Sequence, residues 1–233
     1  MKKYVEVFWA PLGKEEAAFD ILFAPPKPII SILNLDRKNA EYLKCPAFQN
    51  RLKNEFVIPA PFDLNVSVDL KACNVSTDRF GQTFYDKFVI SRRTDAESKN
   101  PYLLTIPPYY IFYSRDDVEI ESKDLTLLTS KSSSNFKVVP GAFNISKWVR
   151  PIELACEVVD AEKPIEIRMG EPLFSIKFTT PKNAPIKLTR VEYSEELHSM
   201  SQACTKIKLY MPGVKLPRLY EMASEYLALM MKK

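Results

Sequence analysis

The side chains that could do chemistry in this chain are few, and the scarcest is imidazole: His198 is the single histidine in 233 residues. A two-histidine carboxylate iron site, a three-histidine zinc site and the His-Glu-x-x-His arrangement each need more than one imidazole, so one chain cannot assemble them. His198 falls near the middle of a segment of helical period and off its apolar stripe, which favours a solvated side chain over a general base. A Ser-His-Asp or Cys-His site would have to use it, yet no Gly-x-Ser-x-Gly elbow accompanies it. The 5 glycines stand apart from one another. Neither Gly-x-x-x-x-Gly-Lys-[Ser/Thr] nor Gly-x-Gly-x-x-Gly occurs, so Walker-type nucleotide hydrolysis and dinucleotide binding lack their phosphate-cradling backbone.

Carboxylates offer more. Asp117, Glu119 and Glu121 alternate along a strand-like stretch and would share one face, where they could ligate a divalent ion. The same pattern makes the charged solvent face of an edge strand, and that reading is preferred, so no metal and no cofactor is expected. Cys45, Cys73, Cys156 and Cys204 lie far apart with no Cys-x-x-Cys pair, which leaves neither a zinc ribbon nor a compact disulfide framework and makes reduced thiols the expectation. Tyr109, Tyr110, Phe112 and Tyr113 on a sheet could stack bases, with Arg92 and Arg93 on phosphates. Strand alternation sends half of those rings into a core, and the net charge of +4 is too small to mark a nucleic-acid or membrane-surface binder. Contact with protein is preferred over nucleic acid.

A sharper small-molecule candidate is Trp148, Arg150 and Glu171. A guanidinium can grip a phosphate bidentately and an indole offers a flat stacking surface. The competing reading is structural, with Trp148 in the core and Arg150 paired to Glu171 or to a carbonyl.

The elements that must position these residues follow from patterning. With 18 prolines against 5 glycines, turns must draw on Pro, Asn, Asp and Ser, which suits short strands with irregular connections. Strands are expected at Tyr4 to Trp9, Ile29 to Leu33, Phe56 to Pro59 and Leu64 to Leu70, the last with Leu64, Val66, Val68 and Leu70 alternating against polar residues. Further strands are expected at Phe84 to Ser91, Tyr102 to Ile106, Tyr109 to Tyr113, Val118 to Ile120, Phe136 to Val139, Glu153 to Val159 and Ile186 to Tyr193. Asp36 could cap a short helix through about Lys44, with Pro46 opening a turn after it. The polar run Ser130 to Asn135 reads as a loop tip. Ile165 to Arg168 and Leu173 to Thr179, joined by Met169-Gly170-Glu171-Pro172, form the clearest hairpin candidate.

From Ser194 the period becomes helical, with Leu197, Met200, Cys204, Ile207, Lys208 and Met211 behind a capping serine and two glutamates. Pro212-Gly213 ends that helix, and a second runs from about Pro217 to Met231 with Leu219, Met222, Ala223, Tyr226, Leu227 and Met230 on one face. The resulting fold class is α+β: a mainly antiparallel β region, sandwich or jelly-roll-like barrel, over residues 1–193, with a helical segment over 194–233 packed on it as a single domain. The N-terminal stretch carries Glu6 where a signal peptide needs an unbroken apolar run, and no segment has the apolar length of a membrane span. A cytoplasmic or virion location is expected, without membrane association.

Three stretches carry a resemblance: Cys45-Pro46-Ala47-Phe48 with Lys53-Asn54-Glu55-Phe56 and Pro61-Phe62-Asp63-Leu64; Trp148-Val149-Arg150-Pro151; and Ile165 to Phe178 around Gly170-Glu171-Pro172. Together they resemble a family of uncharacterised proteins of tailed bacteriophages and environmental bacteria, over roughly residues 45 to 180. That resemblance implies a viral origin. The last stretch is also similar to the dUTPase and dCTP-deaminase fold, which implies a jelly-roll-like barrel. This chain lacks that family's Gly-x-Ile-Asp-x-x-Tyr segment, so a catalytic water would have no positioning base.

The expected function is therefore that of a non-enzymatic, phage-type protein acting through contacts with a protein partner or with itself, as a virion component or a host-directed factor. Leu219, Met222 and Tyr226 are the expected interface. The alternative is a nucleotide or other small-molecule binder using Trp148, Arg150 and Glu171.

Overall fold

The computed structural model describes residues 4–11, 24–36, 40–61, 63–69, 74–76, 90–93, 102–125, 127–128 and 135–230. Within them the strands are β1 (Val5–Pro11), β2 (Lys27–Pro28), β3 (Glu55–Pro59), β4 (Leu64–Asp69), β5 (Asn74–Ser76), β6 (Ile90–Arg93) and β7 (Tyr102–Ser114). They continue as β8 (Glu119–Lys123), β9 (Phe136–Val138), β10 (Gly141–Asn144), β11 (Arg150–Val158), β12 (Ile165–Ile167), β13 (Pro172–Thr179) and β14 (Ile186–Arg190). The helices are α1 (Ile29–Asp36), α2 (Pro46–Leu52), α3 (Glu195–Ser201), α4 (Ala203–Tyr210) and α5 (Leu216–Met230).

Two sheets face each other. The first has the order β14-β1-β7-β11-β9 with β6 also on β7, and the second has the order β10-β8-β13-β3-β2. All these pairs are antiparallel except β1 with β14. A small third sheet, β12-β4-β5, closes one side. Strand alternation builds the core between the sheets: Val7, Trp9, Tyr110, Phe112, Leu154 and Cys156 point inward from the first, and Ile58, Ile120, Phe174, Ile176 and Phe178 from the second. The intervening residues face outward and need cover of their own. On the first sheet Ala10, Ile111 and Val149 are covered by Leu197, Met200 and Leu227 of α3 and α5. On the second, Val57 is covered by Ile29, Leu33 and Leu52 of α1 and α2. The fold is thus an α+β sandwich with helices against both outer faces.

Several expectations are corrected. Ile29 to Leu33 is helix, not strand: Pro28 precedes it, and Ile29 and Leu33, four apart, are buried while Ser31, which a strand would have placed on their face, is exposed. Asp36 ends α1 instead of capping a helix, and Glu41–Lys44 form only a 3₁₀ turn. Pro46 begins α2, where its missing N–H costs nothing. The segments around Tyr102 and Tyr109 are one strand of 13 residues. Its register against β11 shifts between Ile152 and Leu154, so Pro107 and Pro108 fall where ladder bonds are interrupted and no donor is missed. The helical segment after Ser194, which caps through an acceptor to Leu197 N–H, breaks at Gln202 into α3 and α4. The expected Phe84 to Ser91 strand and the loop from Ser130 lie almost wholly outside the described residues.

The largest correction concerns the hairpin. β12 pairs with β4, whereas β13 pairs with β3 and β8, so the Met169 to Pro172 turn carries the chain from one sheet to another. Gly170 adopts φ 82°, the left-handed region that glycine enters freely. Its N–H donates to the Ala60 carbonyl at 2.8 Å, and Ala60 N–H donates to the Glu171 carbonyl at 2.8 Å. Asp63 accepts from Met169 N–H at 2.8 Å. These long-range bonds replace the local ladder that a hairpin would have used.

The thiols divide by depth. Cys45 is exposed, while Cys156 and Cys204 are buried and free. Burial pushes the Cys156 thiol up to about 12, with Asp124 adding to the effect. Iodoacetamide on the native protein should therefore alkylate Cys156 at least about 100-fold more slowly than Cys45, as read by peptide mapping. Equal rates would mean that the inter-sheet core opens readily.

Candidate functional site

Trp148 and Arg150 come together as the small-molecule reading requires: Trp148 closes the turn after β10, its N–H donating to the Asn144 carbonyl at 2.9 Å, and Arg150 opens β11 two residues on. The Arg150 guanidinium lies 4.7 Å from the Trp148 ring centroid and 5.6 Å from that of Phe143. Trp148 also packs on Tyr220 of α5 at 4.7 Å and on Phe143 of β10 at 5.5 Å. Burial pushes the Cys204 thiol beneath this cluster up to about 11, against the opposing pull of Arg150 and a hydrogen bond with Trp148. The indole and guanidinium are thus engaged with each other and with three elements of the chain. Arg150 Nε donates to the Pro151 carbonyl at 3.2 Å, and a guanidinium nitrogen lies 3.6 Å from Glu153.

Glu171 is not brought to them. It sits in the corner turn beside Ala60, next to Pro172, which is aligned with Pro59. Phe143, against which Arg150 stacks, is aligned with Ile120 and through it with Phe178, at the opposite end of β13. The cluster ties β10 and β11 to the C-terminal helices; it does not frame a three-residue pocket.

The base-stacking candidates divide by alternation. Tyr110 and Phe112 are fully buried in the inter-sheet core, and Tyr113 stacks on Phe8 with centroids 5.0 Å apart. Tyr110 Oη donates to the Ala24 carbonyl at 2.7 Å. Neither buried ring can receive a base. Glu119 and Glu121 do share the outer face of β8, but Asp117 lies outside the strand and accepts from Asn144 Nδ2 at 2.6 Å. Among the described residues, no three His, Cys, Asp or Glu side chains gather into a metal-binding group. His198 is exposed, with Nδ1 2.7 Å from Tyr193 Oη.

The interface candidates on α5 also divide. Leu219 is buried against Ala203, Cys204 and Ala223, Met222 is half-buried, and Tyr226 is exposed. The most exposed apolar side chains of the helical layer are others: Leu209 is 75% exposed, Tyr210 82% and Leu229 66%. Lys206, Lys208 and Lys215 surround the first two in the chain, with Arg218 paired to Glu221 at 2.9 Å. Sequence periodicity missed Leu209 and Tyr210 because it assigned the α4 stripe to Ile207, Lys208 and Met211; the signal was their position beside Pro212-Gly213, where the helix ends.

A further charged cluster lies on the outer face of the second sheet. Glu55, with no side-chain exposure, takes Lys123 Nζ on Oε2 at 2.7 Å, while its buried Oε1 has no hydrogen-bond partner among the described residues. Lys177 lies opposite Glu55 and donates from Nζ to the Arg51 carbonyl at 2.7 Å. A groove of about 660 Å³ borders it between α2 and β3, with Ile30, Leu52 and Phe56 in its walls. Its polar residues Asn50 and Lys53 are already bonded to Asn183. Among the described residues no helix is long and apolar enough to cross a membrane. No protein-family model matches the chain, and no curated protein sequence matches it.

Proposed function

We propose that this is a non-enzymatic binding protein whose C-terminal helices present a basic-rimmed apolar surface to a protein partner. The observation that carries the reading is the exposure of Leu209 and Tyr210 at the end of α4, in a stretch that also holds Lys206, Lys208 and Lys215. Exposed apolar side chains cost solvation free energy that a contact recovers, and aromatic residues are enriched at such contacts. A two-fold contact between copies would set like charges against one another, so a partner with an apolar patch rimmed by carboxylates fits better than a second copy. The resemblance of residues 45–180 to tailed-bacteriophage proteins supports placing that contact in a virion or against a host component.

Charging Leu219 would test the wrong surface, because it is buried and its replacement would unfold the helices. The informative variant is Leu209→Asp with Tyr210→Asp. Wild type should retain a partner in quantitative affinity capture, and the variant should lose it by about tenfold or more while keeping the same circular dichroism. Identical captured sets for both baits, with wild type running as a monomer by size-exclusion chromatography, would sink the reading.

A further inference from the structure

The groove of about 660 Å³ between α2 and β3 falls in the size range of small-molecule sites. Its walls are rich in hydrocarbon: Leu52 is buried, and Ile30, Phe56 and Ile186 are half-buried. Most of its polar lining is committed to the fold. Gln49 Nε2 donates to the Leu43 carbonyl, and Asn50 and Lys53 are bonded to Asn183. Asn54 donates from Nδ2 to the Ala184 carbonyl and accepts on Oδ1 from Ile186 N–H. Glu55 is the exception. It is 2% exposed, Lys123 occupies its Oε2, and among the described residues its Oε1 has no hydrogen-bond partner. An acceptor withdrawn from water without a donor is costly, and a donor supplied from the groove would remove that cost.

We infer that this groove binds a small neutral molecule with an apolar body and one N–H or O–H donor, which seats that donor on Glu55 Oε1. Position favours it. Lys123 reaches Glu55 from β8 across β13, on one flank of β3. The groove lies on the other flank, where β2 ends at Pro28, aligned with Phe56 and one residue short of Glu55. The two oxygens of a carboxylate diverge, so with Oε2 drawn toward Lys123 the other is left toward the groove. Charge selects a neutral ligand. Lys123 already compensates Glu55, and Lys53 lines the same groove, so an ammonium would meet repulsion with no unpaired anion to offset it. A carboxylate would be set against Glu55 and would bring no donor. Burial makes the contact selective, because a molecule of the same shape without the donor would cover the acceptor and leave it unpaired. None of the described lining residues belongs to the C-terminal helices, so this site does not depend on the partner contact proposed for them.

Indole is the probe, because it is apolar with a single donor, and 1-methylindole has nearly the same shape without that donor. Each is titrated into the nitrogen-15-labelled full chain and followed by amide chemical shifts. Indole should give saturable shifts at Ile30, at Leu52 to Phe56 and at Ile186. 1-Methylindole should bind about tenfold or more weakly, and tryptamine, which carries an ammonium, should also bind more weakly than indole. Ile30→Trp, which fills the groove from α1, should abolish the indole shifts and leave the rest of the spectrum in place. Should that variant fail to fold, the comparison of indole with 1-methylindole decides alone. The inference is overturned if indole gives no saturable shift at these residues, if 1-methylindole or tryptamine binds as tightly, or if folded Ile30→Trp binds indole like wild type.

Discussion

Phe178→Ala should destabilise the protein by about 3–5 kcal/mol, measured as a lowered urea midpoint at unchanged slope. Phe178 is 1% exposed, and its ring lies edge-on to Phe112 of the opposite sheet and to Phe56 of its own, each with centroids 5.7 Å away. It is therefore a contact through which the two sheets are packed, not a side chain resting on one of them. Truncation removes that transfer free energy and also leaves a void, because Phe174, Tyr110 and Phe112, all fully buried, keep the sheets apart and prevent collapse into the space. A domain of ordinary stability, about 5–15 kcal/mol, would lose a third or more of it. Leu229→Ala, at a residue 66% exposed, is the control and should stay within about 0.5 kcal/mol of wild type. A Phe178→Ala loss below about 1 kcal/mol would contradict the sandwich as described.

The strand that carries Phe178 was legible because its apolar residues recur at every second position between polar ones, as they do at Leu64 and Val66 in β4. Helix signals were equally local: Ser194 with Glu195 and Glu196 announced α3, and its serine does cap the helix. Errors arose where a local pattern admits two outcomes. Ile29 to Leu33 is too short a run for period alone to separate a buried strand from a buried helix turn, and contacts with Leu43 and Leu52 decide it. Gly170 correctly marked a turn, but whether that turn closes a hairpin or crosses between sheets depends on Ala60 and Asp63, more than 100 residues earlier.

The same logic separates the two polar clusters. Trp148 and Arg150 are two residues apart in sequence, so their proximity could be read directly; their enclosure by Phe143 and Tyr220 could not. Glu55, Lys123 and Lys177 belong to three strands that become neighbours only through the order β8-β13-β3. Nothing in the immediate sequence around any of them announces the other two. A buried carboxylate at position 55 is tolerable only because the sheet order delivers an ammonium to it.

That dependence makes Lys123→Met the most damaging surface-proximal substitution expected here. Glu55 has no side-chain exposure and Lys123 only 16%, so the pair at 2.7 Å is shielded from solvent and the usual discount for exposed ion pairs does not apply. Removing Lys123 leaves the carboxylate without its hydrogen-bonded counter-ion, and Oε1 already lacks a donor among the described residues. Breaking a buried pair from one side costs about 3–5 kcal/mol, whereas replacing both members with neutral groups of similar size is far milder. Glu55→Gln with Lys123→Met should therefore be more stable than Lys123→Met alone, and the double-mutant cycle in urea should return a coupling of about 1–3 kcal/mol. If the double variant is instead less stable than the single by the full cost of Glu55→Gln, the two side chains act independently. Glu55 would then be stabilised by water or backbone rather than by the lysine two strands away.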